Sequence, residues 1–271
     1  MSSAEALIAS RFDEWRFVPF VLREVFEDPS PSTVAAALDG FCLRALGSRI
    51  ERAEFFEASV GSAHGVVLSD GRRVVVKVHR PGRSMAFLAA TQMVQRHLAS
   101  GGFPCPQPLA GPEPLGAGVA TAETLLDDGV HADAHQPAVR GAMARTLSRL
   151  IERCRSLASP AGLTENAMKV APGELWPTPH DGCFDFVATT PGAEWIDDVA
   201  RQASRILERG SKGDRVVGHT DWRAQNMRFL GAQITAIYDW DSVAMEHEPV
   251  LVGSVAHGFA SNWAEPPSGR Q

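Results

Sequence analysis

No stretch of this 271-residue sequence stays apolar for the length that a bilayer crossing demands, so no membrane-spanning helix is expected. The first residues, Met1-Ser2-Ser3-Ala4-Glu5-Ala6, lack the basic-then-apolar order of a secretory signal. Positive charge is not in excess either. Lys and Arg number 26 against 32 Asp and Glu, a formal net charge of −6. Phosphate backbones reward clustered cations, so nucleic-acid binding is disfavoured. Cysteine is scarce: Cys42, Cys105, Cys154 and Cys183 lie far apart, with neither C-x-x-C nor metal-ligand spacing. Lone thiols in a cytoplasmic protein are the expectation.

What the chain does carry is concentrated late in the sequence. His219-Thr220-Asp221-Trp222-Arg223-Ala224-Gln225-Asn226 reads H-x-D-x-x-x-x-N, and Tyr238-Asp239-Trp240-Asp241 follows. Phosphoryl transfer gives a reason for each fixed position. Its loose transition state leaves the protein positioning and charge neutralisation to supply. One carboxylate must accept the proton of the attacking hydroxyl. An amide oxygen and a second carboxylate must hold a metal on the phosphates. Asp221 reads as that base, Asn226 and Asp239 as the metal ligands, and His219 as a catalytic-loop residue that orients its neighbours through hydrogen bonds. Oxygen ligands without Cys or His favour Mg²⁺ over zinc. Residues 227–230 and 234–238 read as two strands joined at Gly231-Ala232-Gln233. Paired numbers in a hairpin share a roughly constant sum, which sets Asn226 opposite Tyr238 or Asp239. Either residue alone would be an ordinary turn residue; the whole set at these spacings is a site.

This block resembles the aminoglycoside phosphotransferase family of the protein-kinase-like fold, whose members usually read H-G-D-x-x-x-x-N and I-D-W. Thr220 stands here for the Gly. The resemblance implies an α+β fold of two lobes, a small antiparallel-sheet N-lobe and a mostly helical C-lobe. It sets residues 50–126 as the nucleotide-binding lobe and 127–271 as the catalytic and substrate-binding lobe, after an N-terminal helical extension of residues 1–49. It also implies Mg²⁺ with ATP or GTP, and a γ-phosphate moved to a hydroxyl of a small molecule such as an aminoglycoside-like or other antibiotic.

Earlier in the chain the signals are plainer. Residues 4–27 have helical apolar spacing with Pro19 as a kink, and a second helix is expected through Leu46. Residues 52–56, 65–68 and 73–79 read as strands. Between the first two, Gly61 and Ser62 lie in a stretch of small residues, Ser59-Val60-Gly61-Ser62-Ala63-His64-Gly65, whose N–H groups can approach phosphates. The fuller G-x-G-x-x-G pattern is absent. Alternation puts Val74, Val76 and Val78 on one face of the third strand and Val75, Lys77 and His79 on the other. Taken alone, Lys77 reads as solvent-facing. By resemblance it is the lysine that holds the α- and β-phosphates.

Two departures stand out. Kinases pair that lysine with a glutamate on the next helix, yet residues 84–99 contain no Asp or Glu. Thr91 or Gln92 falls at the expected place. Relatives also carry an aspartate shortly after the proline at 249 that anchors the catalytic loop, where this chain has Val250-Leu251-Val252-Gly253. These departures motivate an alternative reading, a catalytically weak pseudokinase-like nucleotide-binding protein. Residues 103–109 read as a Pro-rich turn and 119–126 as the strand ending the small lobe. By resemblance, backbone groups near Glu123 and Leu125 meet the adenine edge. Helices are expected over 138–157, 194–209 and 250–263, with 166–191 irregular.

Overall fold

The computed structural model describes every residue except 1, 15–17, 158–159, 161, 164–169, 172, 178–190, 210–212 and 260–271, and the backbone alone at 18–20. The chain divides into two units.

The first unit comprises residues 1–130 with 160–162 and 235–238. Helices α1 (Ser3–Glu14), α2 (Val18–Arg23) and α3 (Pro31–Leu46) lead into strands β1 (Ile50–Ala58), β2 (Ser62–Leu68) and β3 (Arg73–His79). Helix α4 (Met85–Ser100) then precedes β4 (Pro108–Leu115) and β5 (Gly118–Thr124). The expected kink at Pro19 adjoins residues 15–17, between α1 and α2, which lie outside the described residues. Ser30 and Ser84 cap α3 and α4 by accepting the N–H of Thr33 and Phe87, which fixes where each helix starts.

The five strands pair antiparallel in the order β1-β2-β3-β5-β4. Their valine alternation decides which face is buried. Val74, Val76 and Val78 join Val66, Leu68, Ala120 and Ala122 in a core closed by Ile8, Leu22, Leu38 and Phe41 of the helices and by Phe26, which follows α2. The N-terminal helices thus cover one face of the sheet. Residues 103–107 are the expected proline-rich turn, and strand β4 follows it from Pro108. The strand sits at the sheet edge, the place where proline's missing donor is tolerated.

The second unit comprises residues 131–159, 163–234 and 239–271. Its elements are α5 (Pro137–Cys154), α6 (Glu194–Arg209), β6 (Arg215–His219), β7 (Met227–Leu230), β8 (Gln233–Ile237), β9 (Val243–His247) and α7 (Glu248–Gly258); the last residues of β8 fall in the first unit. Helix α5 buries Met143, Leu147, Leu150 and Ile151. Strands β6 and β9 pair antiparallel, with Val217 opposite Met245 and His219 opposite Val243. Gly218 admits Leu251 of α7, since a Cβ there would lie 2.0 Å from a Leu251 methyl. The expected β7–β8 hairpin is present, turning at Gly231 with φ +60°.

Helix α6 has the expected bounds. Its Trp195, Val199 and Ile206 are exposed rather than set against a core. The expected irregular stretch at 166–191 and the end of the last helix lie largely outside the described residues. Cys42, Cys105 and Cys154 are buried, and burial pushes the thiol of Cys42 up to about 12 and that of Cys154 to about 11. Both stay protonated and unreactive at neutral pH.

Candidate functional site

In the second unit, the end of β6 delivers His219 into a wholly buried position. Its imidazole lies edge-on to Trp222 at 5.7 Å and to Trp240 at 5.5 Å. Its Nδ1 accepts the backbone N–H of Asp221 at 3.2 Å, so neutral His219 carries its proton on Nε2. Trp222 is buried and donates its indole N–H to the Met143 carbonyl at 3.1 Å. The loop is therefore nailed down on both sides of Asp221, by the imidazole before it and the indole after it.

Asp221 and Asn226 come together. Asn226 Nδ2 donates to Asp221 Oδ2 at 2.8 Å and to its backbone carbonyl at 2.9 Å. Both amide hydrogens point at Asp221, which leaves the amide oxygen to offer a metal. Residues 224–226 form a single 3₁₀ turn. Asp239 has φ 64° and ψ 45°, a left-handed conformation that is uncommon outside glycine and that marks functional sites when it occurs. Its Oδ2 accepts the Ser242 hydroxyl at 3.0 Å. Thr220, in place of the family glycine, donates its hydroxyl to the Ser242 carbonyl at 2.7 Å, and its N–H reaches the same oxygen at 2.9 Å. One carbonyl thus ties the catalytic loop to the turn that follows Asp239. The Ala224 N–H donates to the Phe259 carbonyl at 3.3 Å.

Among the described residues no cluster of three or more His, Cys, Asp or Glu could hold a metal. One carboxylate and one amide oxygen still fit a cation that takes its remaining ligands from phosphates and water, the habit of Mg²⁺. The pair His135–Asp133, at 2.9 Å and exposed, is a solvated loop contact.

In the first unit, Lys77 is turned from solvent, its side chain 15% exposed, with Nζ 3.7 Å from Glu123 Oε1. Gly61 has a packing reason: a Cβ there would stand 2.6 Å from the Val78 carbonyl. Ser62 is buried with its hydroxyl 2.9 Å from His64 Nε2. Glu123 is flanked by Val75 on β3 and Pro108 on β4, and its buried side chain is what the sequence reading overlooked. Leu125 gives its N–H to the Arg73 carbonyl at 3.1 Å, so its carbonyl is what remains for a base edge.

The sequence profile of the phosphotransferase enzyme family matches residues 62–247, which include residues of both units. The chain belongs to that family. Solved structures with the same fold include an amicoumacin kinase, hAmiN, in complex with AMP-PNP, Ca²⁺ and Ami, 12% identical with a TM-score of 0.54 over 76% of this chain. This chain spans 62% of that protein's length. A thermostable mutant of aminoglycoside phosphotransferase APH(4)-Ia, in ternary complex with AMP-PNP and hygromycin B, is 16% identical with a TM-score of 0.53 over 80% of this chain and 74% of its own. A fructosamine-3-kinase from Thermobifida fusca is 13% identical with a TM-score of 0.51, covering 82% and 78%. At these identities the likeness is one of fold. No curated sequence matches the chain significantly.

For a phosphotransferase of this family, one group at the loop went unread in the sequence. Arg223 brackets the Asp221 carboxylate, with Nε 2.6 Å from Oδ1 and Nη2 2.7 Å from Oδ2. Its position two residues after the aspartate was the available signal, since the intervening Trp222 is buried and the two flanking side chains are free to meet.

Proposed function

We propose that this phosphotransferase moves the γ-phosphoryl group of ATP or GTP to a hydroxyl of a small molecule. The observation that carries the reading is the Asp221–Asn226 pair, hydrogen-bonded at 2.8 Å on a loop pinned by buried His219 and Trp222. Asp221 orients the acceptor hydroxyl and takes its proton. Arg223 holds the carboxylate in place and brings positive charge to where phosphate oxygens gather it. Lys77 steadies the nucleotide phosphates. Asn226 Oδ1 and Asp239 are the ligands for Mg²⁺, which when bound neutralises charge on the phosphate oxygens. His219 acts through the loop and transfers no proton. The four sparse cysteines suit the reducing cytoplasm, where nucleotide is abundant.

The company the fold keeps supports one acceptor class. An amicoumacin kinase, an aminoglycoside phosphotransferase bound to hygromycin B and a fructosamine-3-kinase all carry names of polar, hydroxyl-bearing small molecules, and an antibiotic of that kind is the acceptor we favour. The test is ADP or GDP release by the purified protein with Mg²⁺ against a panel of aminoglycosides, other antibiotics, amino alcohols and sugars. Acceptor-dependent release with a phosphate ester in the products supports the reading. Nucleotide binding without turnover on any acceptor overturns it.

A further inference from the structure

Helix α4 offers Lys77 no carboxylate, and its polar residues at the expected place are committed elsewhere. Thr91 donates its hydroxyl to the Leu88 carbonyl at 2.8 Å. Gln92 donates to the Ala110 carbonyl at 2.9 Å and accepts from Arg96 at 3.2 Å. Strand β5 supplies what the helix lacks. Resting on the phosphotransferase reading above, we propose that Glu123 is the counter-ion that holds Lys77 in its phosphate-binding pose, and that Gln95 of α4 is the positioning residue that holds Glu123.

Register puts the pair together. Val75 faces Glu123 and Lys77 faces Thr121 across β3 and β5, so Glu123 and Lys77 are diagonal neighbours on one face of the sheet. The two carboxylate oxygens have separate partners: Oε1 lies 3.7 Å from Lys77 Nζ, and Oε2 accepts Gln95 Nε2 at 2.8 Å. The Glu123 side chain is 9% exposed, and Gln95 is 3% exposed. A carboxylate that deep is stable only with a cation and hydrogen bonds around it. Lys77 and Gln95 provide them. The ammonium has three donors, so engagement by Glu123 leaves it able to reach phosphate oxygens.

The test compares calorimetric affinities for MgATP (or MgGTP, whichever the wild type binds tighter) and for the bare nucleoside. Glu123→Gln should weaken the nucleotide roughly tenfold to hundredfold, the scale of one hydrogen bond to a charged group, and leave the nucleoside unchanged. A merely structural glutamate would lower both together. The exchange Glu123→Gln with Gln95→Glu keeps one carboxylate and one amide in contact but moves the charge onto the helix, and should recover most of the loss. Glu123→Asp, which keeps the charge if Glu123→Gln fails to fold, should show a smaller nucleotide-selective loss. Wild-type nucleotide affinity in Glu123→Gln or Glu123→Asp, or equal losses for nucleotide and nucleoside, overturns the inference and leaves the phosphotransferase reading standing. A wild type that binds neither MgATP nor MgGTP overturns that reading, and the inference with it.

Discussion

Replacing Asp221 by Asn separates chemistry from architecture at this site. The amide keeps the volume and one acceptor oxygen, which can still take Asn226 Nδ2 and Arg223 Nη2, now 2.8 and 2.7 Å from Oδ2. The new NH₂ then meets Arg223 Nε, 2.6 Å from the present Oδ1, donor against donor, so the guanidinium must swing away. Side-chain exposure of 19% for Arg223 and 31% for Asp221 puts the lost ion pair near the surface class, worth about 1 kcal/mol or less in stability. The loss of a general base costs roughly 10²–10⁴ in rate, about 2.7–5.4 kcal/mol at the transition state. The chemical effect therefore exceeds the structural one severalfold. Nucleotide affinity should hold, because it draws on Lys77, Asn226 and Asp239. The assay is ADP release with the best acceptor, run beside a nucleotide titration and a urea melt. An unchanged kcat in Asp221→Asn refutes the assignment. A collapse of nucleotide affinity and stability together refutes the separation.

Asp239→Ala should weaken MgATP binding far more than metal-free ATP binding; equal calorimetric affinities of wild type and variant for MgATP would remove Asp239 from the metal site. Lys77→Met should raise the nucleotide KM or lower kcat in a folded protein, and normal turnover would mean that the lysine has no phosphate to hold. Gly218→Ala forces Leu251, and with it α7, away from β6, and should cost roughly 1–3 kcal/mol in urea unfolding, as overpacking does. Burial holds the His64 imidazole down at about 3, from 6.5. The unfolded chain therefore takes up a proton that the folded one refuses, and stability falls as pH drops from about 6.5 toward about 3, by up to roughly 1.4 kcal/mol per pH unit. Unfolding free energies at neutral and acid pH should diverge less in His64→Asn than in wild type; parallel pH profiles would show that His64 does not drive the loss.

Where side-chain period and turn chemistry act locally, the sequence was a sound guide. Val74, Val76 and Val78 alternate inward as read, and the β7–β8 hairpin turns at Gly231. Contacts between distant segments left no local trace. Gln95 and Glu123 lie on different elements, 28 residues apart, and neither has a spacing signature. Thr220 looked inert because its glycine relatives have no side chain, yet its hydroxyl bonds Ser242, 22 positions on. The partner of the Ala224 N–H is a backbone carbonyl, that of Phe259, and a carbonyl is the same in every residue type. Helix α6 was legible as a helix, while the exposure of its Trp195, Val199 and Ile206 was not, because spacing cannot say whether a helix finds a core to face.

The neighbouring placement of β3 and β5 bears on control. A kinase that borrows its lysine's partner from a neighbouring helix can be turned off by swinging that helix outward, which makes helix position a regulatory variable. Lys77 and Glu123 are carried by adjacent strands of one ladder, and no rigid-body swing of α4 can part them without tearing the sheet. With the pair on one ladder, a swing of α4 reaches the lysine only through the hydrogen bond from Gln95 to Glu123, so helix position tunes this site and cannot switch it by parting the pair.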